Sequence, residues 1–201
     1  MVKLAALCAA LLSGLAFAPA AASDAPSQPP HFSVKLIAAN GSGCPSGSAA
    51  VRQVNSTELR ISYRSFSAAD GPSVPPLENR ENCLLALQVS VPSGWTYGIA
   101  GVGYRGFAWL DRGARGIVTT SYYLAGQPWT IHQSHTIYGP RSNYNYAFSD
   151  YMGVVKWAPC HFNDTLNVDI SAQVFPGSNS SFVNELDVGS TDVGHLSFMR
   201  C

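Results

Sequence analysis

Charged residues are scarce in this 201-residue chain. Asp, Glu, Lys and Arg make up 12% of it and their formal charges cancel, whereas roughly 25% is usual for globular proteins. This excludes the basic surface that attracts nucleic acid or anionic membranes, so neither is a predicted partner. The chain also lacks a sustained helical period, any C-x-x-C pair, and any apolar run beyond residue 22 long enough to span a bilayer. The sequence therefore predicts no helical bundle, no membrane span and no zinc site.

The N-terminus has the pattern of a secretory signal peptide. Lys3 precedes an apolar run over residues 4–17, and small residues with A-x-A spacing follow as far as Ala22. A charged start, a short apolar core and a small-residue exit predict a signal peptide at residues 1–22. Cys8 lies inside the apolar run and would be removed with it.

The remaining chain divides into two parts. Residues 23–32 are rich in Ser, Pro and Ala, which predicts a disordered leader. Residues 33–201 have the length of a single domain. A signal peptide directs that domain out of the cell, so the predicted location is secreted and extracellular.

Four cysteines remain after signal removal: Cys44, Cys83, Cys160 and Cys201. An even count in a secreted chain predicts two disulfides rather than a metal site. Four cysteines allow three pairings, and we favour Cys44 with Cys83 and Cys160 with Cys201 because each pair is nearest in sequence. Each bond would close a loop of about 40 residues.

Alternating apolar residues predict β-strands throughout the domain. The clearest strand lies at 82–92, where four apolar side chains share one face: Leu85, Leu87, Val89 and Val91. Further strands are predicted at 33–39, 57–63, 95–110, 115–124, 127–138, 144–148, 154–157, 165–175 and 195–201. Nine or ten strands separated by Gly, Pro, Asn and Ser turns favour an all-β antiparallel sandwich. A jelly roll and a closed barrel remain as alternatives, because strand order cannot be read from the sequence.

Several short motifs occur in the same order in a known family. They are Gly43-Cys44-Pro45, Val74-Pro75-Pro76, Asn82-Cys83, Tyr104-Arg105-Gly106-Phe107-Ala108, Ser121-Tyr122-Tyr123, Gly139-Pro140 and Trp157-Ala158-Pro159-Cys160. On these motifs the chain resembles the secreted domain-of-unknown-function family 4360, small four-cysteine extracellular proteins with no known activity. The resemblance covers nearly the whole mature chain. It implies secretion and a four-cysteine framework, and no catalytic residue or cofactor.

Two motifs that resemble ligand sites have simpler explanations. Residues 101–106 match G-x-G-x-x-G, but neither a helix nor a suitably placed acid follows, as a dinucleotide site requires. A bent strand whose glycines admit neighbouring backbone explains them better. His132 and His135 are three residues apart on a strand and point to opposite faces, which favours structural or surface histidines over a metal pair. We therefore predict no cofactor and no metal.

Catalytic residues are not marked by any motif. Glycosidases need two carboxylates across a cleft, and no pair is distinguished among the candidates Glu78, Glu81, Asp111, Asp150 and Asp169. There is no G-x-S-x-G elbow, although a Ser-His-Asp triad assembled in space stays open. The catalytic set is predicted to be empty.

The most suggestive cluster is Arg105, Phe107, Trp109 and Asp111, which share one parity on one strand, with Tyr104 beside them. Aromatic rings and a guanidinium can stack on a sugar. Arg105 must either pair with Asp111 or face a cleft that receives an anion or a sugar hydroxyl. The predicted function is a non-enzymatic binding or structural module that contacts extracellular carbohydrate or protein, such as a cell-wall glycan or a host protein. The alternative is a secreted, glycosidase-like hydrolase with an unrecognised carboxylate pair.

Four N-x-S/T sequons predict that the protein is glycosylated in a eukaryotic host, at Asn40, Asn55, Asn163 and Asn179. Asn179 follows a Pro-Gly-Ser sequence typical of an exposed loop, so this site is the first expected to be modified.

Overall fold

A computed structural model of the protein describes residues 31–178, 182–193 and 195–201. The predicted signal peptide with its cleavage point, most of the predicted leader and the sequon residue Asn179 lie outside these ranges. The described residues include no helix long and apolar enough to cross a membrane.

Twelve β-strands and one short 3-10 turn make up the described chain. The strands are β1 (Ser33–Asn40), β2 (Ala49–Asn55), β3 (Glu58–Tyr63), β4 (Ser67–Asp70), β5 (Arg80–Ser90), β6 (Trp95–Leu110), β7 (Arg115–Leu124), β8 (Thr130–Tyr138), β9 (Arg141–Trp157), β10 (Leu166–Phe175), β11 (Asn184–Val193) and β12 (Leu196–Arg200); the 3-10 turn is Pro76–Asn79.

The strands form two antiparallel sheets. Sheet A has the order β1-β5-β10-β7-β8. Sheet B is arranged around the long strand β6, which pairs with β9 along one edge and with β11 and β12 along the other; β3, β4 and β2 continue beyond β11. No described strand of one sheet pairs with a strand of the other. The prediction of an antiparallel β-sandwich is therefore confirmed, and a closed barrel is excluded for these strands.

The core lies between the inner faces of the two sheets. On β5, Cys83, Leu85, Leu87 and Val89 are buried while Leu84, Gln88 and Ser90 are exposed, which is the alternation predicted from the sequence. The inner face of β10 is buried in the same way, from Leu166 to Val174. Each fully buried aliphatic side chain contributes about 1.5–3 kcal/mol of transfer free energy, so these two central strands of sheet A hold much of the domain together.

Both predicted disulfides form. Cys44 pairs with Cys83, with 5.4 Å between their Cα atoms, and ties the β1–β2 loop to β5. Cys160 pairs with Cys201, at 5.8 Å, and ties the β9–β10 connection to the end of β12. The first pair is buried and the second is exposed.

The structure differs from the predicted strands in a few places. The two short strands predicted at 144–148 and 154–157 belong to the single strand β9, and β8 begins at Thr130 rather than at residue 127. Strands β2, β4 and β11 were not predicted. Phe32, the last residue of the predicted leader, is buried with its ring 5.8 Å from that of Phe198, so the packed domain includes it.

Candidate functional site

The outer face of sheet B carries a row of side chains along β6. Arg105, Phe107 and Trp109 point outward. Tyr104, which precedes them, and Ala108, which lies between the two aromatic residues, are buried in the core. This alternation follows from the two-residue period of a strand. Trp109 exposes 47% of its surface, a large fraction for a residue of this size.

Two carboxylates flank the aromatic rings from the neighbouring strand β11. Glu185 lies directly opposite Trp109 in the register, and Asp187 lies directly opposite Phe107. Side chains in such pairs are about 4.5–5.5 Å apart at their Cβ atoms. On the other side of β6, Asn145 of β9 lies opposite Phe107. We call the outward residues Arg105, Phe107, Trp109, Asn145, Glu185 and Asp187 the β6 strip.

The position of Asp187 is set by a contact that crosses β6. The Tyr146 hydroxyl on β9 donates a 2.6 Å hydrogen bond to the main-chain oxygen of Asp187 on β11. The ring passes Gly106, where a Cβ atom would collide with both the Asp187 oxygen and the Tyr146 hydroxyl. The prediction that a glycine in 101–106 admits neighbouring backbone is confirmed at this position. A β-bulge follows in β11 between Val188 and Ser190, a feature that commonly re-aims side chains.

Shallow depressions run along the β6 strip. One of about 340 Å³ is lined by Arg105, Gly106, Phe107, Asn145, Asp187, Gly189 and Ser190. A second, of about 410 Å³, is lined by Trp109, Leu110, Asp111, Pro140, Arg141, Ser142 and Phe182. The strip is therefore an open, partly aromatic surface rather than a deep cleft.

Two residues of the predicted cluster are not where the prediction required them. Tyr104 is 1% exposed and faces the core, so it cannot contact a ligand on the strip. Asp111 lies six residues from Arg105, about 20 Å along an extended strand, too far for an ion pair. Its carboxylate instead accepts a 2.6 Å hydrogen bond from the Arg112 amide. Arg105 has an interaction partner of its own.

The two carboxylates of the strip were not found from the sequence, because β11 was not predicted as a strand. The alternation Glu185, Leu186, Asp187, Val188 is a strand signal, and Leu186 and Val188 are both buried. Recognising it would have placed both acids on one face. Three of the acids that were considered do not come together: Asp150 bonds His135, Asp169 lies on the outer face of sheet A, and Asp111 follows the end of β6.

A serine, a histidine and an aspartate do meet on the outer face of sheet A. Ser121 lies between Asp169 on β10 and His132 on β8, and its hydroxyl is 3.1 Å from the His132 Nδ1 atom. In a catalytic triad the carboxylate orients the histidine, whereas here Asp169 is opposite the serine. The central strands of a sheet also have their amides in ladder bonds, which leaves no obvious oxyanion hole. This row lacks the arrangement of a triad.

A second histidine joins the two sheets at one side of the sandwich. His135 on β8 points inward, to the face opposite that of His132 as predicted, and its Nε2 atom is 2.7 Å from the Asp150 carboxylate on β9. Phe148 stacks on its ring at 4.2 Å. Among the described residues, no three or more His, Cys, Asp or Glu side chains are grouped as metal ligands would be.

Buried tyrosine hydroxyls lie behind this bridge. Tyr104, Thr120 and Tyr122 each have a buried hydroxyl without a hydrogen-bond partner among the described residues. Burial raises the pKa of Tyr104 to about 12, although the nearby hydroxyls of Tyr122 and Thr120 oppose the shift. Burial likewise raises the pKa of Tyr122. These groups are therefore neutral in any physiological medium, and we assign them to the core rather than to a site.

Three predicted sequon residues, Asn40, Asn55 and Asn163, are exposed. Asn55 Oδ1 accepts a 2.8 Å hydrogen bond from the Thr57 amide and so shapes the β2–β3 turn. We expect a eukaryotic host to glycosylate the protein, so peptide-N-glycosidase should lower the mass of the form that such a host secretes. An unchanged mass would contradict this prediction.

Comparison with known proteins identifies related sequences. The profile of the family described as "Domain of unknown function (DUF4360)" matches residues 30–201. A protein of Arthroderma benhamiae (strain ATCC MYA-4681 / CBS 112371), named "Uncharacterized secreted protein", is 28% identical to the chain over 170 residues, covering 80% of this chain and 68% of the relative.

Proposed function

The chain belongs to the DUF4360 family, and we propose that its β-sandwich is a non-enzymatic module that binds extracellular glycans through the β6 strip. The protein is secreted and extracellular: its relative is a secreted protein, and its two disulfides fit an oxidising environment. Glycans of a cell wall or a host surface are therefore within its reach.

The observation that carries this proposal is the exposed Trp109 beside Phe107 on an open sheet face with hydrogen-bonding neighbours. An aromatic ring offers a flat apolar surface to the C–H face of a sugar ring, and polar groups at its edge bind the hydroxyls. Asn145, Glu185 and Asp187 supply those groups on the two adjoining strands. A polymer chain can also extend beyond an open strip at both ends, which a closed pocket would not allow.

Replacing Trp109 with alanine should weaken glycan binding at least about tenfold, because loss of a stacking ring costs on the order of 1.5 kcal/mol. The melting temperature should change little, since the ring is half exposed. Binding is measured by pull-down with insoluble polysaccharides and by glycan array. Tyr138→Ala is a matched control: Tyr138 is an exposed aromatic, 66% accessible, at the end of β8 in sheet A. Equal losses in both variants would contradict the proposal.

A second candidate function is a glycosidase, favoured by Glu185 and Asp187. Two residues apart on one strand, their Cα atoms are about 6.7 Å apart, so the two carboxylates lie on the same face, as a pair of glycosidase acids would have to. We rank it second because the two acids lie side by side on an open face rather than across a cleft. The same polysaccharides, assayed for released reducing ends with the wild type and with Glu185→Gln, distinguish the two functions. Sugar release that Glu185→Gln abolishes would replace the binding proposal.

A further inference from the structure

We infer that a pocket at one end of the sandwich, separate from the β6 strip, binds one neutral sugar residue. The pocket lies where β5 ends and β6 begins, next to the β9–β10 connection, and its volume is about 270 Å³. Residues 88–97, Pro159 and 161–163 line it, and we call it the end pocket. Tyr97 is eight residues from Arg105, about 26 Å along an extended strand, so the end pocket and the strip are different sites.

The walls of the end pocket are held in place by the fold. The Thr96 hydroxyl donates a 2.8 Å hydrogen bond to the Ala158 oxygen, and the Ala158 amide donates a 2.9 Å hydrogen bond to the Tyr97 oxygen. These bonds hold the β9–β10 connection against β6. The disulfide between Cys160 and Cys201 joins the same connection to the end of β12. The end pocket is therefore formed before any ligand arrives, as small-molecule sites usually are.

A buried hydroxyl in the wall of the end pocket points to a ligand. Tyr97 lines the pocket and is 2% exposed, and its hydroxyl is buried without a hydrogen-bond partner among the described residues. Burial raises the pKa of Tyr97, so the hydroxyl keeps its proton and is able to donate it in a hydrogen bond. Such a group without a partner is unfavourable. A ligand oxygen that accepts its hydrogen bond would remove this penalty.

The lining of the end pocket favours an uncharged ligand. It includes no Asp, Glu, Lys or Arg among the described residues, and His161 is exposed at the surface. Arg200 packs over the Trp95 ring, 4.8 Å from its centroid, and is not part of the lining. An anionic or cationic ligand would lose hydration here without gaining an oppositely charged side chain.

The remaining lining residues suit a sugar. Ser93 and Asn163 bring a hydroxyl and an amide to the exposed rim, while Val91 and Phe162 are half-buried apolar side chains. A sugar ring combines hydroxyls with an apolar C–H face and so matches both kinds of group. The volume lies just below the roughly 300–1,000 Å³ of pockets for drug-sized ligands, which fits one sugar residue rather than a longer chain.

Saturation-transfer NMR titrations with the methyl glycosides of glucose, galactose, mannose and N-acetylglucosamine test the inference. The protein used carries Thr165→Val, which removes the sequon at Asn163 and leaves the asparagine in place. We expect at least one of the four glycosides to bind. Glucuronic acid and glucosamine should bind at least about tenfold more weakly, because each would lose hydration of its charge.

Tyr97→Phe, which removes only the hydroxyl, should weaken this binding at least about fivefold. The melting temperature should stay the same or rise, because the folded protein loses a buried polar group without a partner. Tyr104→Phe is the matched control: the Tyr104 hydroxyl is also buried without a partner among the described residues, but Tyr104 does not line the end pocket. Neither Tyr104→Phe nor Trp109→Ala should change the affinity for the glycosides.

The sugar has two sources, because Asn163 lines the pocket and begins a sequon. Wild-type protein whose mass shows a glycan at Asn163 distinguishes them. If that glycan fills the end pocket, added glycosides bind to the Thr165→Val protein and not to the glycosylated wild type. Equal binding to both assigns the pocket to a separate glycan.

Other outcomes overturn the inference in distinguishable ways. If none of the four glycosides binds, the end pocket is not a sugar site, whatever the β6 strip does with polysaccharides. If Trp109→Ala abolishes binding, the sugar lies on the strip, so the proposed function stands and the end pocket fails. If Tyr97→Phe lowers the melting temperature and leaves the affinity unchanged, the hydroxyl serves the fold and not a ligand. If the charged sugars bind as tightly as the neutral ones, the assigned ligand class is wrong.

Discussion

Replacing Cys44 and Cys83 together with alanine is expected to lower the free energy of unfolding by about 4 kcal/mol or more. The bond joins residues 39 apart in sequence, and in the chain-entropy model a loop of this length is worth about 4 kcal/mol. Both cysteines are buried, at 1% and 0% exposure, so the variant also loses packing around the two sulfur atoms. Because the stability of a domain is usually about 5–15 kcal/mol, this variant should be close to unfolding at about 37 °C.

A comparison with the second disulfide separates the entropic contribution of a disulfide from the contribution of packing around buried sulfur atoms. Cys160 and Cys201 are 41 residues apart, so the entropic term is nearly the same, but both are exposed. The Cys160→Ala/Cys201→Ala variant should therefore lose about 4 kcal/mol and no more, and it should be measurably more stable than the Cys44→Ala/Cys83→Ala variant. Urea unfolding followed by tryptophan fluorescence gives both values. If the Cys160→Ala/Cys201→Ala variant is less stable than the Cys44→Ala/Cys83→Ala variant, the role assigned to the buried sulfur atoms is contradicted.

The sequence predicted the fold class because most strands have one face in the core and one in solvent. Where that holds, as in β5 and β10, the two-residue period is visible. The disulfide pairing was also predicted, because in each pair the cysteines that are nearest in sequence also lie close together in the fold. Strand order was not predictable, because β6 pairs with β9, β11 and β12, all distant in sequence.

Strands β2 and β11 were not predicted because they do not show a regular alternation of buried and exposed residues. Strand β2 is an edge strand with Arg52 and Gln53 exposed, so it buries too little to show a period. In β11 the bulge at Gly189 interrupts the alternation that Leu186 and Val188 begin. The consequence for the site is direct: the outward row of β6 could be predicted, but the carboxylates beside it could not.

Gly106 connects the packing of sheet B with the position of the β6 strip. It lies in the middle of β6, between Tyr146 on β9 and Val188 on β11 in the register. A Cβ atom there would collide with the Asp187 main-chain oxygen and with the Tyr146 hydroxyl. The first is backbone within a sheet and cannot move without breaking ladder bonds, so the alanine variant must distort β6 or β11.

Gly106→Ala is therefore expected to lower the free energy of unfolding by about 3 kcal/mol or more, from overpacking together with loss of the Tyr146–Asp187 hydrogen bond. Gly153→Ala is the matched control: Gly153 also lies in a strand of sheet B, with no atom within 4 Å of its added Cβ, and the change should stay within about 0.5 kcal/mol.

Tyr146→Phe, which removes only the hydroxyl, should lower the free energy of unfolding by about 1–3 kcal/mol. Since Tyr146→Phe also removes one of the two collisions, its effect and that of Gly106→Ala should be less than additive in the double variant. Additive losses, or a Gly106→Ala variant as stable as Gly153→Ala, would show that the tyrosine does not need the space that this glycine leaves.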